Sequence, residues 1–428
     1  MSIFPDISSN RHEVKDVLYL VVFQGLNYVP SLIVLPYLIV VLGAEKFGHV
    51  GFSLAVCQFL MIVVDFGFNL SVSKRIALAR DDRKELDRIF SAAFFCRIGL
   101  LLSCFVILTA ISFFPNYEIY RPVLFAKFTT VVGEAFLFTF LFQGLGKIRW
   151  VAIFNCVAKF LLLPFTFIFV KGPDDYLLAA ALPGIVSIVA DVMLIVMIAV
   201  SGWVGFPKFD FKDCLAELQE STPIFVSNVS NNIYLLIVVM ALAHFAPAAE
   251  VGRFTASDKI IRALMTLLAV PVVQAFYPAV SRMAVDDKAK ACALVKRLVI
   301  GGACVMALAA TAIFIISPYL PAWLGEDYTG TEKIMRILSL MAVAASAGML
   351  TGQLGLLASG GGTQKGWYFY IYLAATVVAA VFMFVFVPSW QGVGAAMTFL
   401  LTEIFVAVAM VVAYGLMLRK SSSKKQKN

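Results

Sequence analysis

Ten ionisable side chains fall inside stretches that are otherwise hydrocarbon: Asp65, Arg97, Lys127, Glu134, Lys159, Asp191, Lys259, Arg262, Arg336 and Glu403. An unpaired charge at the centre of a membrane helix costs about 2.5–3.5 kcal/mol on insertion scales. So many facing lipid would not be tolerated, so they must face a wet cavity or one another. Mixed acids and bases in such a cavity can hold an anionic group, or take up and release protons. Depth separates them. Lys259, Arg262 and Arg336 begin their spans, where long side chains snorkel to the surface; that is the favoured reading of Lys259 and Arg336. Asp65 and Arg97 lie at similar depth toward the opposite side, where a structural ion pair and a binding role are equally good readings. Glu134, Lys159, Asp191 and Glu403 lie near mid-membrane, beyond snorkelling reach, and a functional reading is favoured for them.

Amides and hydroxyls extend the pattern. Gln24, Asn27 and Ser31 share one helical face, as do Gln58, Asp65 and Asn69. Ser227, Asn228, Ser230, Asn231 and Asn232 crowd one short stretch. Serine as interhelical packing glue accounts for the hydroxyls. The amides, placed at matching positions in two halves of the chain, fit better with the lining of a path. Soluble-enzyme chemistry is not in view. There is no P-loop, so this chain is not expected to hydrolyse ATP. The seven cysteines form no CxxC pair, and no metal or cofactor is expected. Asp81-Asp82, Asp174-Asp175 and Asp286-Asp287 are paired carboxylates in loops, for which helix capping and solvation are favoured over metal binding. His49 and His244 are expected at the outer surface, solvated.

The elements that must position these groups are membrane helices. The 428 residues are 61% hydrophobic and 14% charged, with a mean hydropathy of +0.92, which leaves no room for a large water-soluble domain. Apolar runs of about 20 residues cross the hydrocarbon as helices. Twelve are expected, at 17–42, 48–72, 89–113, 121–143, 150–170, 177–200, 222–246, 258–281, 296–317, 333–358, 366–388 and 392–418. The N-terminal run is expected to stay as a helix, because it lacks the pattern of a cleaved leader. Lys and Arg outside the spans divide 23 to 5 between the termini with even loops and the odd loops. That bias puts both termini in the cytoplasm. The net charge of +8 therefore reports orientation and not nucleic acid.

The chain also repeats. VSKRIALARDDRKEL (72–86) matches VSRMAVDDKAKACAL (280–294), and AEKFGHVGFS (44–53) matches AEVGRFTAS (249–257). Lys127 with Gln143-Gly-Leu-Gly corresponds to Arg336 with Gln353-Leu-Gly, and Asn27 to Asn231. Six spans per half give repeats of the same orientation, related by an axis along the membrane normal, with the path between them. The expected organisation is a lobe at 1–200, a cytoplasmic linker at 201–221, a second lobe at 222–418 and a basic tail at 419–428. Within the linker, FDFKDCLAELQES is expected to lie as a short amphipathic helix on the membrane surface.

LPYLIVVLGAEKFG followed by VVDFGFNLSVSKRIA resembles the bacterial polysaccharide transporter family, the O-antigen or lipid-linked oligosaccharide flippases often called Wzx. These sit within the superfamily of multidrug-and-toxin exporters. ASDKIIRALMTLLAVPVVQAFYPAVSR and the segment through Gln353-Leu-Gly are similar to the same family. The resemblance implies a twelve-helix, two-lobe fold in the bacterial inner membrane. It also implies passage of an undecaprenyl-diphosphate-linked sugar unit from the inner to the outer leaflet, with a polysaccharide polymerase or chain-length regulator as neighbours. A cationic lumen would fall on Arg97, Lys127, Lys159 and Arg262, with sugars held by Asn27, Asn228, Asn231 and Asn232. Asp65, Glu134, Asp191 and Glu403 are the candidates for coupling to protons or sodium. A multidrug exporter of the same superfamily is the first rival; six bases to four acids within the spans favour an anionic substrate over a cationic drug. A membrane glycosyltransferase, polymerase or ligase is the second, and it lacks the large soluble loop such enzymes use.

Overall fold

In the computed structural model the backbone is described for residues 11–360 and 362–425, and side chains for 29–418 apart from 231, 286 and 361–365. Every regular element among them is helical. The first is α1 (Arg11–Asp65), followed by α2 (Phe68–Leu78) and α3 (Arg83–Ser112). Next come α4 (Arg121–Phe136), α5 (Thr139–Gly144), α6 (Arg149–Phe169) and α7 (Tyr176–Ser201). The chain continues through α8 (Phe211–Phe245), α9 (Ala248–Leu268), α10 (Val270–Asp286) and α11 (Lys288–Ile316). It ends with α12 (Leu320–Leu324), α13 (Thr331–Leu350), a π-helical turn (Thr351–Ala358) and α14 (Gly362–Lys425). Among the described residues nine helices are long and apolar enough to cross a membrane, ten if the bent pair within α8 is one span. The chain is a multi-pass membrane protein.

Two apolar stretches are too long for one crossing. Val29–Leu78 has 50 residues and Gly366–Leu418 has 53, about 75 and 80 Å of helix against about 30 Å of hydrocarbon. Each turns back at a non-helical residue, Gly43 (φ 67°, ψ 170°) in the first and Gln391 (φ 45°, ψ −121°) in the second. Gly43 takes a conformation that side chains disfavour, and a Cβ there would meet Asp327 Oδ2 at 3.1 Å. Gln391 is strained in the same sense.

Four spans are interrupted partway. α1 gives way to α2 at Phe66 (φ 46°) and Gly67 (φ 82°). α4 gives way to α5 at Leu137 and Phe138. α9 gives way to α10 at Ala269, and α13 to the π-helical turn at Thr351. The first and third breaks lie after the aligned segments 44–53 and 249–257 and before 72–86 and 280–294, and the second and fourth lie between Lys127 and Gln143 and between Arg336 and Gln353. The helix caps follow the repeat as well. Asp82 accepts from Lys84 N and Glu85 N at the start of α3; Asp287 accepts from Ala289 N and Lys290 N at the start of α11.

The segment expected as a surface helix is not separate. Asp210 caps it, and it runs unbroken into α8. It is held to the first half of the chain by charge: Arg75 bonds Glu217 and Glu220, Arg88 bonds Asp213 through two nitrogens, and Ser71 meets Ser221 at 2.6 Å. These partners hold the start of α8 against α2 and α3.

At the end of the bundle where the chain turns at Gly43, α1 lies directly against α9. A Cβ on Gly48 would fall 1.9 Å from Ala248 O, and one on Gly252 would fall 1.8 Å from Ala44 O. The contact is reciprocal, Ala44-xxx-Gly48 against Ala248-xxx-Gly252, and only small residues let two backbones approach so closely. Gly48→Val is expected to force this seam apart, since the opposing atoms are backbone and overpacking costs about 1–3 kcal/mol. A cysteine introduced at Ala249 should then react several-fold faster with a membrane-impermeant maleimide; an unchanged rate would show that the seam does not depend on the glycine.

Candidate functional site

Between the two halves lies a cavity of about 520 Å³. One wall is Gln58 and Asp65 from α1, Asn69 from α2 and Glu134 from α4. The facing wall is Asn228 and Asn232 from α8, Thr255, Asp258, Lys259 and Arg262 from α9, and Phe399 from α14. Spacing explains part of the walls: Gln58 and Asp65 are seven apart on α1 and share a face, and Asn69 joins them from the start of α2 beyond the break. Asp258 and Arg262 are one helical turn apart.

The first wall is organised by Arg97. Its side chain is fully buried on α3. Nη2 donates to Asp65 Oδ1 at 3.0 Å, and Nη1 donates to Glu134 O at 2.9 Å and Leu137 O at 2.6 Å. The guanidinium also stands 5.0 Å from the centre of the Phe140 ring. One residue thus reaches both helix breaks of its half, taking the carboxylate at the end of α1 and two carbonyls that the α4–α5 break exposes. The planar fork suits this task, and a lysine could not make three such bonds in one plane. Of the two readings of Arg97, the ion pair with Asp65 is the one present, and Arg97 does not itself line the cavity.

The second wall keeps a cation available. Arg262 Nε donates to both oxygens of Asp258, at 2.8 and 2.9 Å, and its guanidinium lies 5.7 Å from the Phe399 ring centre. Tyr234 Oη donates to Glu403 Oε1 at 2.7 Å. Lys259 has no ion pair and no hydrogen bond among the described residues, although it lines the cavity. The reading of Lys259 as a snorkelling residue is therefore corrected. Asp258 was missed altogether; its spacing from Arg262 was the signal that could have found it.

The remaining candidates are dispersed. Lys127 is buried on α4 and makes no ion pair or hydrogen bond among the described residues; it lies near Cys57 and within the field of Lys259. Lys159 lies half-buried on α6 and does not line the cavity, because its helix packs mainly on α7. Asp191 is buried on α7 behind Gly133, with Ser187 Oγ donating to Oδ2 at 3.4 Å and Oδ1 unpartnered. Glu403 lies behind the second wall on Tyr234. Glu134 lines the cavity with its carboxylate unpaired among the described residues. Asn232 donates to Asn228 O at 2.9 Å. The side chains of Asn27 and Asn231 lie outside the described residues. Arg336 is half-buried near the start of α13, its Nε donating to Ser317 Oγ at 3.0 Å. His49, expected in solvent, is 2% exposed between Tyr120 and Tyr176, with both ring nitrogens unpartnered.

Removing one partner of a buried pair leaves the other uncompensated, at about 3–5 kcal/mol. Arg97→Ala should accordingly lower the thermal unfolding midpoint in detergent and the yield of monodisperse protein. Asp65→Leu with Arg97→Met should recover much of the loss in midpoint. An Arg97→Ala protein that melts like the wild type would rule out the clamp.

A family model described as polysaccharide biosynthesis protein matches residues 14–284. The chain is 28% identical over 406 residues to the "Putative O-antigen transporter" of Escherichia coli (strain K12), covering 93% of this chain and 95% of that one. It is 27% identical over 404 residues to the protein of the same name from Shigella dysenteriae, covering 93% and 99%. The fold is similar to an inward-facing multidrug resistance MATE family transporter of the MOP superfamily, with a TM-score of 0.74 at 14% identity over 94% of this chain and 96% of that one. It is also similar to the lipid II flippase MurJ in an inward closed conformation, with a TM-score of 0.71 at 14% identity over 92% and 87%. An outward-facing MATE transporter matches with a TM-score of 0.58 at 17% identity over 96% of each chain. The match to the family model spans more than half of the sequence, and this chain belongs to the polysaccharide biosynthesis protein family.

Proposed function

We propose that this chain is a flippase for a lipid-linked oligosaccharide, an O-antigen-type repeat unit on undecaprenyl diphosphate, in the bacterial inner membrane. The observation that carries the reading is the unpaired Lys259 beside Arg262 on one wall of a cavity that also offers amides and a hydroxyl, with the Asp65 and Asp258 carboxylates already taken by arginines and Glu134 on the facing wall. A diphosphate needs cations in a low dielectric, and sugars need the donors and acceptors that Gln58, Asn69, Asn228, Asn232 and Thr255 offer. The names of the relatives and of the MurJ neighbour support the same substrate class.

The topology follows from the ten apolar segments once the two double-length ones are folded at Gly43 and Gln391. Twelve crossings result, six on each side of the 201–221 segment, with both termini in the cytoplasm. The two lobes meet at the α1–α9 seam on the outer side, so the cavity opens inward in this state; the better fit to the inward-facing neighbour supports that. Opening the seam while closing the cytoplasmic side would expose Lys259 to the outer leaflet. Moving two negative charges outward against an inside-negative potential releases about 4.6 kcal/mol per 100 mV, so ATP is not needed. Glu134 lines the cavity unpaired among the described residues and Asp191 has an unpartnered oxygen, with Arg97 already engaged by Asp65, which supports uptake of a proton by one of these carboxylates in one of the two states.

Lys259→Gln should reach the membrane at wild-type levels and lower surface glycan about tenfold or more, the worth of a charged hydrogen bond, whereas Lys159→Ala should leave export intact. Undiminished glycan in Lys259→Gln would refute the cation's role, and intact glycan with new drug sensitivity in a deletion strain would favour drug export. In proteoliposomes, an imposed pH gradient should speed wild-type flipping and leave Glu134→Gln unaffected; a gradient-insensitive wild type would remove proton coupling.

A further inference from the structure

A second concavity lies well away from the central cavity and shares none of its residues. It is a groove of about 540 Å³ between α11 and α13, lined by Ala307, Ala310, Thr311, Phe314, Leu340, Val343, Ala344 and Ala347. Small side chains on both helices make the depression, while Phe314 and Leu340, 43% and 52% exposed, form its sides near one end. Thr311 supplies the one hydroxyl, and it donates back to Ala307 O at 2.8 Å. The groove surface therefore offers no free hydrogen-bonding group. Its contents must be apolar.

The end near Phe314 has a different chemistry. Arg336 lies over Phe314, 4.9 Å from the ring centre, with Nε on Ser317 Oγ and the rest of its fork without a protein acceptor among the described residues. Lys333, one turn earlier on the same face of α13, is exposed and makes no ion pair among the described residues. Glu332, which could neutralise it, accepts from Gly330 N instead. Tyr319 and Trp323 are 65% and 74% exposed at this end, as aromatic residues are at a headgroup layer. Arg336 and Ala347 are eleven residues apart, about 16 Å along the helix, or roughly half of a 30 Å hydrocarbon layer. The groove is one leaflet deep.

We propose that this groove is a binding site for an anionic phospholipid of that leaflet, one acyl chain lying between α11 and α13 and the phosphate on Arg336 and Lys333. Under the orientation proposed above the leaflet is the outer one. The substrate lipid is a poorer occupant, because a headgroup at Arg336 has no continuity with the cavity holding Lys259. The site would tie the second lobe to the charge of the surrounding bilayer without touching the path.

The test is native mass spectrometry of the full-length protein released from nanodiscs of phosphatidylcholine with one-fifth phosphatidylglycerol. The wild type should retain one phosphatidylglycerol in preference to phosphatidylcholine. Lys333→Gln and Arg336→Gln should each lower that preference about fivefold, Arg336→Lys should keep it, and Ala344→Leu should cut retention of both lipids by filling the groove. Unchanged retention and preference in a Lys333→Gln/Arg336→Gln/Ala344→Leu variant that remains monodisperse would overturn the site. Displacement by free glycerol phosphate would overturn it in favour of a simple anion site, and displacement by equimolar undecaprenyl phosphate in favour of the substrate's own tail. None of these readouts measures flipping, so the site and the transport reading can fail separately.

Discussion

The fork of Arg97 is the interaction on which the rest of the first half depends. Inside a bilayer an interrupted helix leaves carbonyls with no water to bond, and each such group costs several kcal/mol. The chain nevertheless breaks two neighbouring spans at the same depth, at Phe66–Gly67 and at Leu137–Phe138. A single guanidinium supplies the missing donors to the second break and neutralises the carboxylate at the first. Both breaks can persist because one residue satisfies them together. The breaks in turn give the cavity its polar wall, since Asp65, Asn69 and Glu134 flank them.

The two walls are unequal for a physical reason. On the first, the arginine is consumed by structure, which leaves acid in excess: Glu134 lines the cavity unpaired and Asp191 lies behind it with an oxygen unpartnered. On the second, Asp258 and Arg262 cancel within one helical turn, which leaves Lys259 as surplus. The cavity is therefore polarised, acid facing base, with amides between. A polarised site can offer its cation to an anionic substrate and its carboxylates to a proton, and it need not present both at once.

The seam between α1 and α9 joins the two halves at one end of the bundle. Helices joined by reciprocal glycine contacts have no long side chains to disengage, so they can close tightly and part without rotamer rearrangement. The charged contacts at the other end, Arg75 with Glu217 and Arg88 with Asp213, join the first half to the start of α8 and are screened by water and salt. One end thus closes through shape and the other is joined through charge.

Much of the architecture was legible in the sequence. The length and spacing of apolar runs mark the crossings, because hydrocarbon thickness is fixed. The repeats at 72–86 and 280–294 carry the paired helix caps Asp82 and Asp287, because matching sequence makes matching local structure. The stripe of Gln58, Asp65 and Asn69 announced a polar wall through helical periodicity alone. Partner choice was legible only in part. The four-residue spacing of Asp258 and Arg262 carries that pair, and Asp65 with Arg97 stood as one of two readings, but nothing in the sequence tells that Arg97 also serves a helix break, or which of Lys127, Lys159 and Lys259 lines the cavity. That was decided by the tertiary structure, because the electrostatic state of a buried charge depends on the atoms within a few ångströms of it, and those come from helices that the linear order leaves far apart.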